Sequence, residues 1–104
     1  MKINNELINK IVSRANGSGA ITIGDIGIEW GTVSITPENG YGSTNVNLTN
    51  NYSVSPLAIA VAGVGTSQIT NVGTFNISTS RISVFMTGTT TQARTCRYLV
   101  IGFI

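Results

Sequence analysis

The sequence predicts an all-β fold, a small antiparallel β-sandwich preceded by a short N-terminal amphipathic helix. Three observations support this. Apolar and polar residues alternate in several short runs, turn-forming residues separate those runs, and no helical periodicity follows residue 19. Short alternating runs bounded by turn signals are typical of sandwiches and barrels. A parallel α/β sheet is disfavoured because it would need helical segments between its strands.

The composition predicts one folded domain with a weakly charged surface. The chain has 104 residues, 41% of them hydrophobic and 10% charged, whereas roughly 25% charged residues is usual. After Glu38 the charged residues are Arg81, Arg94 and Arg97. Nucleic-acid binding requires clustered basic residues, so no nucleic-acid partner is expected.

An amphipathic stripe marks the N-terminus, where Ile3, Leu7 and Ile11 recur every four residues. So short a helix is unstable alone, so we expect it to pack on its own domain or on copies of the chain. Leu7 and Ile11 are therefore predicted interface residues. The Gly- and Ser-containing segment 16–19 indicates a flexible break. The sequence thus predicts a neck or anchor with linker over residues 1–19 and the sandwich over 20–104.

The first strands alternate over residues 21–23 and 26–30, which predicts that Trp30 belongs to the core. The apolar positions change parity between Trp30 and Val33. Because side chains alternate with a period of two, this change predicts a bulge or bend at Gly31.

The later strands follow a turn at Asn39-Gly40. Residues 57–64 and 98–104 are apolar at nearly every position. Burial of both faces requires a second layer, and a neighbouring subunit is a natural source, although central strands of a monomeric sandwich are the alternative. Small residues on one parity suit close approach. The predicted interface in this domain consists of Ala58, Ala60, Ala62, Tyr98 and Val100.

Catalytic groups are scarce, because the sequence has no histidine and one cysteine, Cys96. Histidine-dependent triads and the usual zinc sites are therefore excluded, and we expect no catalytic residue, metal or cofactor. Cys96 is predicted to be a small buried hydrophobe. Asp25 and Glu29 could form the carboxylate pair of a glycosidase. A turn position beside Gly24 for Asp25, and a polar strand face for Glu29, are the favoured interpretations.

The ligand-binding candidates are chosen for their positions in predicted loops. Tyr41 lies between two glycines, and aromatic and amide side chains suit sugars. The candidates are Tyr41, Asn71, Thr89, Thr90, Gln92 and Arg94. The N-terminus lacks an apolar signal core and no apolar run approaches the roughly 18 residues that span a bilayer. Synthesis in the cytoplasm without a signal peptide, and no membrane insertion, are therefore expected.

The order of several motifs resembles the C-terminal receptor-binding, or knob, domains of phage tail fibres. Gly27-Ile28-Glu29-Trp30-Gly31-Thr32 resembles their opening motif, and residues 46–52 and 56–61 are similar to the two segments that follow. Arg97-Tyr98-Leu99-Val100-Ile101-Gly102-Phe103 resembles their terminal strand. The pattern departs at Thr49, where a proline is common, and at Ile104, one residue past the usual terminal aromatic.

The resemblance implies a trimeric β-sandwich at a fibre tip, located in the virion, whose loops contact receptors on the bacterial surface. The expected receptor is a cell-surface glycan, as is often the case, or a protein. The chain would be either an excised tip or a small stand-alone virion protein. A purely structural virion protein, such as a capsid decoration or fibre cap, is the first alternative. A free lectin-like module and a glycan depolymerase are the others.

Overall fold

The computed structural model describes residues 17–62 and 68–104, which form seven β-strands in two sheets. The strands are β1 (Gly19–Ile23), β2 (Ile26–Ile35), β3 (Tyr41–Asn47), β4 (Leu57–Ala62), β5 (Ile69–Phe75), β6 (Arg81–Gly88) and β7 (Arg94–Phe103). All pairings are antiparallel, in the orders β1-β2-β7-β4 and β3-β6-β5. The all-β prediction is confirmed for this part of the chain. The predicted helix, with Leu7 and Ile11, lies outside the described residues.

Two tight turns form where the sequence offers glycine. Gly24, with a φ of 59°, occupies the first central position of the β1–β2 hairpin, as a type II′ turn requires. Asn39 and Gly40 both have positive φ, 53° and 87°, which is the pattern of a type I′ turn. Glu38 and Tyr41 close this second turn through two backbone hydrogen bonds.

The hydrophobic core lies between the two sheets. Every second residue of β6 enters it, so that Ile82, Val84 and Met86 are fully buried. Cys96 on β7 is also fully buried, which confirms its predicted role, and burial raises the pKa of its thiol. The other buried members are Ile35, Val46, Tyr52, Ala58 and Val100.

Strand β2 runs through Gly31 without a bulge, since Ile26–Ile35 pairs with β7 residue for residue. The sequence predicted a bulge or a bend at Gly31, and the bulge is absent. The apolar positions change parity because the first half of β2 places its large apolar side chains on the outer face and the second half places them on the inner face. Val33 packs against the core between the sheets, whereas Ile28 and Trp30, on the alternate positions, lie on the other face of the sheet. Trp30 is nevertheless buried, at 7% exposed, as predicted.

The alanines of β4 lie on the inward face, in contrast to the predicted contact with another subunit. Ala58 is buried in the core and Ala60 packs against it. Ala62 is paired with Cys96, a core residue, and therefore shares its face. Strand β4 meets β5 of the second sheet, so the alanines line the space between the two sheets.

The β7 residues of the same prediction, Tyr98 and Val100, also face inward. Val100 belongs to the buried core, and Tyr98 packs against it. The exposed apolar residues of β4 and β7 occupy the alternate positions; they are Leu57, Ile59, Val61, Ile101 and Phe103.

Candidate functional site

Glu29 is a buried carboxylate that holds a loop rather than a residue of an exposed strand face. Its side chain is 2% exposed. It accepts hydrogen bonds from the backbone N–H groups of Thr49 (2.8 Å) and Asn50 (3.1 Å) and from the Tyr52 hydroxyl (2.9 Å). The carboxylate thereby ties the segment after β3 to the four-stranded sheet. The predicted polar-face position of Glu29 is wrong.

Two glycines make space beside Glu29, on the same face of β2 two residues before and after it. A Cβ on Gly31 would collide with the Tyr98 hydroxyl, and one on Gly27 would lie 2.8 Å from Nδ2 of Asn50. The motif Gly-x-Glu-x-Gly is therefore a packing motif in which small residues admit the groups around a buried carboxylate.

Both tyrosines near Glu29 remain protonated to high pH. Burial raises the pKa of Tyr52 to about 12; its bond to Glu29 adds to the rise and a bond from Asn50 opposes it. Burial also raises the pKa of Tyr98, and the nearby charge of Glu29 adds to this. A neutral phenol at position 52 is what the buried carboxylate requires as a donor.

The two carboxylates considered for catalysis do not share an accessible surface. Asp25 lies in the exposed β1–β2 turn, whereas Glu29 is enclosed. Among residues 17–62 and 68–104, no group of three or more His, Cys, Asp or Glu side chains could hold a metal ion. No helix in this part of the chain has the length and hydropathy needed to cross a membrane.

The outer face of the four-stranded sheet is apolar except at one end, where it carries Arg97 and small polar residues. Paired residues on neighbouring antiparallel strands share a face, which places eleven apolar side chains together. They are Ile21, Ile23, Ile26, Ile28, Trp30, Leu57, Ile59, Val61, Leu99, Ile101 and Phe103. Five of these, on β4 and β7, are 38% to 67% exposed. We call this surface the apolar face; contiguous apolar patches on soluble proteins mark sites of interaction.

The outer face of the three-stranded sheet is polar and aromatic. Tyr41, Thr87 and Asn71 form one row across β3, β6 and β5. Two of these, Tyr41 and Asn71, were predicted ligand-binding residues, and the structure brings them to one end of one face. Phe85 lies in the next row, and its ring contacts the rings of Tyr41 and Phe75. We call this surface the polar–aromatic face.

The other predicted ligand-binding residues lie in or beside the β6–β7 loop, which hydrogen bonds hold near Tyr41 and Asn71. The N–H of Thr89 donates to the Gln68 carbonyl (2.8 Å), and that of Gly88 donates to Gly40 (3.1 Å). Not all of these residues present their side chains to solvent.

Thr90 is 3% exposed, and its Oγ1 accepts a hydrogen bond from the Gln92 N–H (3.1 Å). It therefore shapes the loop from within. Thr89 and Gln92 are exposed, and Arg94, at the start of β7, is half-buried and donates to the Gln92 side chain (3.3 Å).

Sequence reasoning missed Phe85, Phe75 and Asn45 on the polar–aromatic face. The sequence does contain a pattern that predicts the position of Phe85. Because Ile82, Val84 and Met86 alternate into the core, Phe85 must lie on the opposite face of β6. Phe75 and Asn45 then follow through strand pairing, since both are paired with Ser83.

Comparison with known proteins finds similarity in structure only. No protein-family model and no curated protein matches the sequence. An N-truncated R1-type pyocin tail fibre superposes with a TM-score of 0.60 at 12% identity, over 98% of both chains. A longer C-terminal fragment of the P. aeruginosa R1 pyocin fibre gives 0.59 at 12% identity, over 98% of this chain and 32% of that one.

The backbone fold is similar to that of the R1 pyocin tail fibre domain. At 12% identity this likeness extends to the arrangement of the backbone, in agreement with the tail-fibre resemblance drawn from the motifs. The chain corresponds to about a third of the longer fibre fragment. Fold alone does not specify function. A function has to be inferred from the chemistry of the apolar face and of the polar–aromatic face.

Proposed function

We propose that this chain is a trimeric tip domain of a phage tail fibre or related virion component, which binds a receptor, a saccharide, on the bacterial surface without catalysis. The observation that carries the proposal is the apolar face. Leu57 and Phe103 are 67% and 58% exposed on it, and such a surface on an isolated chain invites association.

Copies of the chain are the partners that best fit the apolar face. Its side chains are aliphatic or aromatic, apart from Arg97 and small polar residues at one end, and obligate homo-oligomer interfaces have this composition. The number three comes from the resemblance to fibre tips. Packing of this face against copies would leave the polar–aromatic face, on the opposite side of the sandwich, open to solvent.

A non-catalytic role is supported by the state of the carboxylates. A glycosidase needs an acid and a second carboxylate that both reach the scissile bond. Glu29 is instead enclosed and committed to three hydrogen bonds. We therefore assign recognition, with no cofactor, to the exposed polar side chains.

The experiment that tests receptor binding is an array of surface polysaccharides isolated from a panel of bacterial strains, incubated with the labelled full chain. Retention on a subset of strains, competed by the same free polysaccharide, is the expected result. A chain that assembles but is retained on none would contradict receptor binding and favour a purely structural virion protein. A monomeric chain that is retained would favour a free lectin-like module.

A further inference from the structure

The Phe85 ring lies across its neighbouring strand instead of standing upright. Phe85 is paired with Gly73 on β5. A Cβ on Gly73 would come within 2.7 Å and 3.0 Å of the ring atoms Cε1 and Cζ. The ring edge formed by Cδ1, Cε1 and Cζ therefore lies over the glycine, and Phe85 remains partly exposed. Ser43, the partner on β3, is too small to cover it.

Tyr41 extends this surface without hiding it. The rings of Tyr41 and Phe85 are nearly parallel (15°), with centroids 6.2 Å apart. A centroid separation of 6.2 Å is well beyond the roughly 3.5–4.0 Å of direct contact, so the two rings are not packed directly face to face. Phe75 meets Phe85 at 63° with centroids 6.0 Å apart. The arrangement is an aromatic platform with an upright ring at one side.

Hydrogen-bonding groups flank the platform on two sides. On one side, Ser83 donates to Oδ1 of the exposed Asn45 (2.7 Å), whose amide group carries two further N–H donors. On the other side lies the exposed Asn71 with Thr87, in the row beyond the rings.

The platform is uncharged. The charged residue on this face of β6 is Arg81, four residues before Phe85 and therefore about 13 Å along the strand. The charge beside Tyr41 is negative, since the exposed Glu38 is its bridge partner across the β2–β3 turn. An anionic ligand would find no counter-charge at the rings. A ligand with one apolar face and a rim of hydroxyl groups matches both the rings and the amides.

Three other glycine–aromatic pairs among the described residues are disposed differently. Trp30 covers Gly19 on the apolar face, and inside the sandwich Tyr98 covers Gly31 and Tyr52 covers Gly102. In each pair the aromatic ring covers the backbone that a strand glycine leaves bare, which is a structural role. Among residues 17–62 and 68–104, only the pair of Phe85 and Gly73 presents its ring among amide and hydroxyl side chains, and this is what distinguishes it.

We propose that the polar–aromatic face is the saccharide site, where Phe85 and Tyr41 stack on the C–H face of a neutral pyranose and Asn45 and Asn71 bind its hydroxyls. The electron-rich face of an aromatic ring attracts the slightly positive hydrogens of such a face. The inference rests on the proposed function in that a sugar is taken to be part of the receptor.

The test is two-dimensional NMR of the isotopically labelled full chain, titrated with methyl glycosides of glucose, galactose, mannose, N-acetylglucosamine and glucuronic acid. We expect at least one neutral glycoside to shift the amide signals of residues 41–45, 71–75 and 83–87. Phe85→Leu is expected to weaken that binding about tenfold, whereas Phe85→Tyr, which keeps the ring, changes it less than twofold.

Matched controls separate binding from folding. Asn45→Ala should weaken binding, whereas Asn47→Ala, on the same face of β3 but paired with Arg81 beyond the rings, should not. If Phe85→Leu fails to fold, Tyr41→Ala at an exposed position replaces it.

Three outcomes would overturn the site: no neutral glycoside binds, the shifts are confined to residues 88–94, or binding is indifferent to the ring and amide variants. Glucuronide binding alone, without a neutral sugar, would also overturn it. Failure of the site while the chain still assembles and is retained on bacterial polysaccharide leaves the proposed function standing. Loss of assembly and retention together removes the proposed function itself.

Discussion

Glu29 shows how one buried charge organises a loop. Its carboxylate receives three neutral donors, two from the backbone of Thr49 and Asn50 and one from Tyr52. An ionised acceptor strengthens such bonds, and removing an acceptor from buried donors costs more than the bond itself contributes. The residue therefore acts on stability, and the loop that it anchors leads into β4.

Glu29→Gln is expected to lower the free energy of unfolding by about 1–3 kcal/mol, because the new amide group turns a donor toward donors. Urea unfolding at pH 7 measures this. Asp25→Asn in the exposed turn is the matched control and should change stability by less than about 0.5 kcal/mol. Equal stability of Glu29→Gln and the wild type would contradict the anchoring role.

Tyr52 should make stability depend on alkaline pH. Its pKa in the folded chain is about 12, above the ordinary value of about 10 that applies after unfolding. The neutral phenol therefore stabilises the fold fully below pH 10, and this contribution, about 2–3 kcal/mol, is lost as pH rises from 10 to 12.

Tyr52→Phe removes this dependence together with the bond to Glu29. We expect the variant to be less stable than the wild type at pH 7 by about 1–2 kcal/mol, and the difference to shrink above pH 10. Denaturant midpoints of both proteins between pH 7 and 11.5 measure this. A constant difference across that range would contradict the raised pKa.

Gly31 in β2 has a structural role that differs from the one predicted from the sequence. Gly31 was predicted to permit a bulge, but the register is regular there and the glycine instead leaves room for the Tyr98 hydroxyl. Turn signals such as Asn39-Gly40 were interpretable because φ preference is local. The role of Gly31 could not be predicted from the local pattern, because it depends on Tyr98, which is far away in sequence.

Gly31→Ala should therefore destabilise the fold by about 1–3 kcal/mol, as overpacking does. Combining it with Tyr98→Phe, which removes the colliding hydroxyl, should recover part of that loss. A double-mutant cycle in urea measures the coupling. Strictly additive effects would mean that the hydroxyl does not cause the strain.

Strands β4 and β7 show where sequence reasoning stops. Both were correctly expected to be apolar on both faces. The sequence could not decide which parity faces inward, because a one-residue change of register exchanges the faces. The structure places Ala58 inside and Ile59 outside, which reverses the predicted contact residues and exposes the larger side chains.

Ile59→Asp tests the exposed parity. Because the side chain is 49% exposed in the single chain, the domain should still fold, but association should weaken, since a carboxylate would be desolvated in the interface. Solution mass and near-ultraviolet circular dichroism measure the two effects. Thr32→Asp, near the polar end of the same face, is the control. An unchanged assembly in Ile59→Asp would exclude β4 from the interface.

At the scale of the whole molecule, the sandwich has two unlike outer surfaces. One sheet presents aliphatic and aromatic side chains, and the other presents amides, hydroxyls and a tyrosine–phenylalanine pair. The fold class, both tight turns and two residues of the polar–aromatic face were predictable from local patterns. That one sheet has an apolar outer face and the other a polar and aromatic one could not be predicted. It follows from the strand order and register, which the local sequence pattern does not contain.

The most direct measurement of the central claim is solution mass by light scattering, made on the full chain and on a chain that begins at Gly19. We expect a mass near three times 10.9 kDa for the full chain and a trimer for the shortened chain as well, because the apolar face lies entirely within the sandwich. A trimer that becomes a monomer on shortening, or a monomer in both cases, would contradict the assignment of this face to assembly.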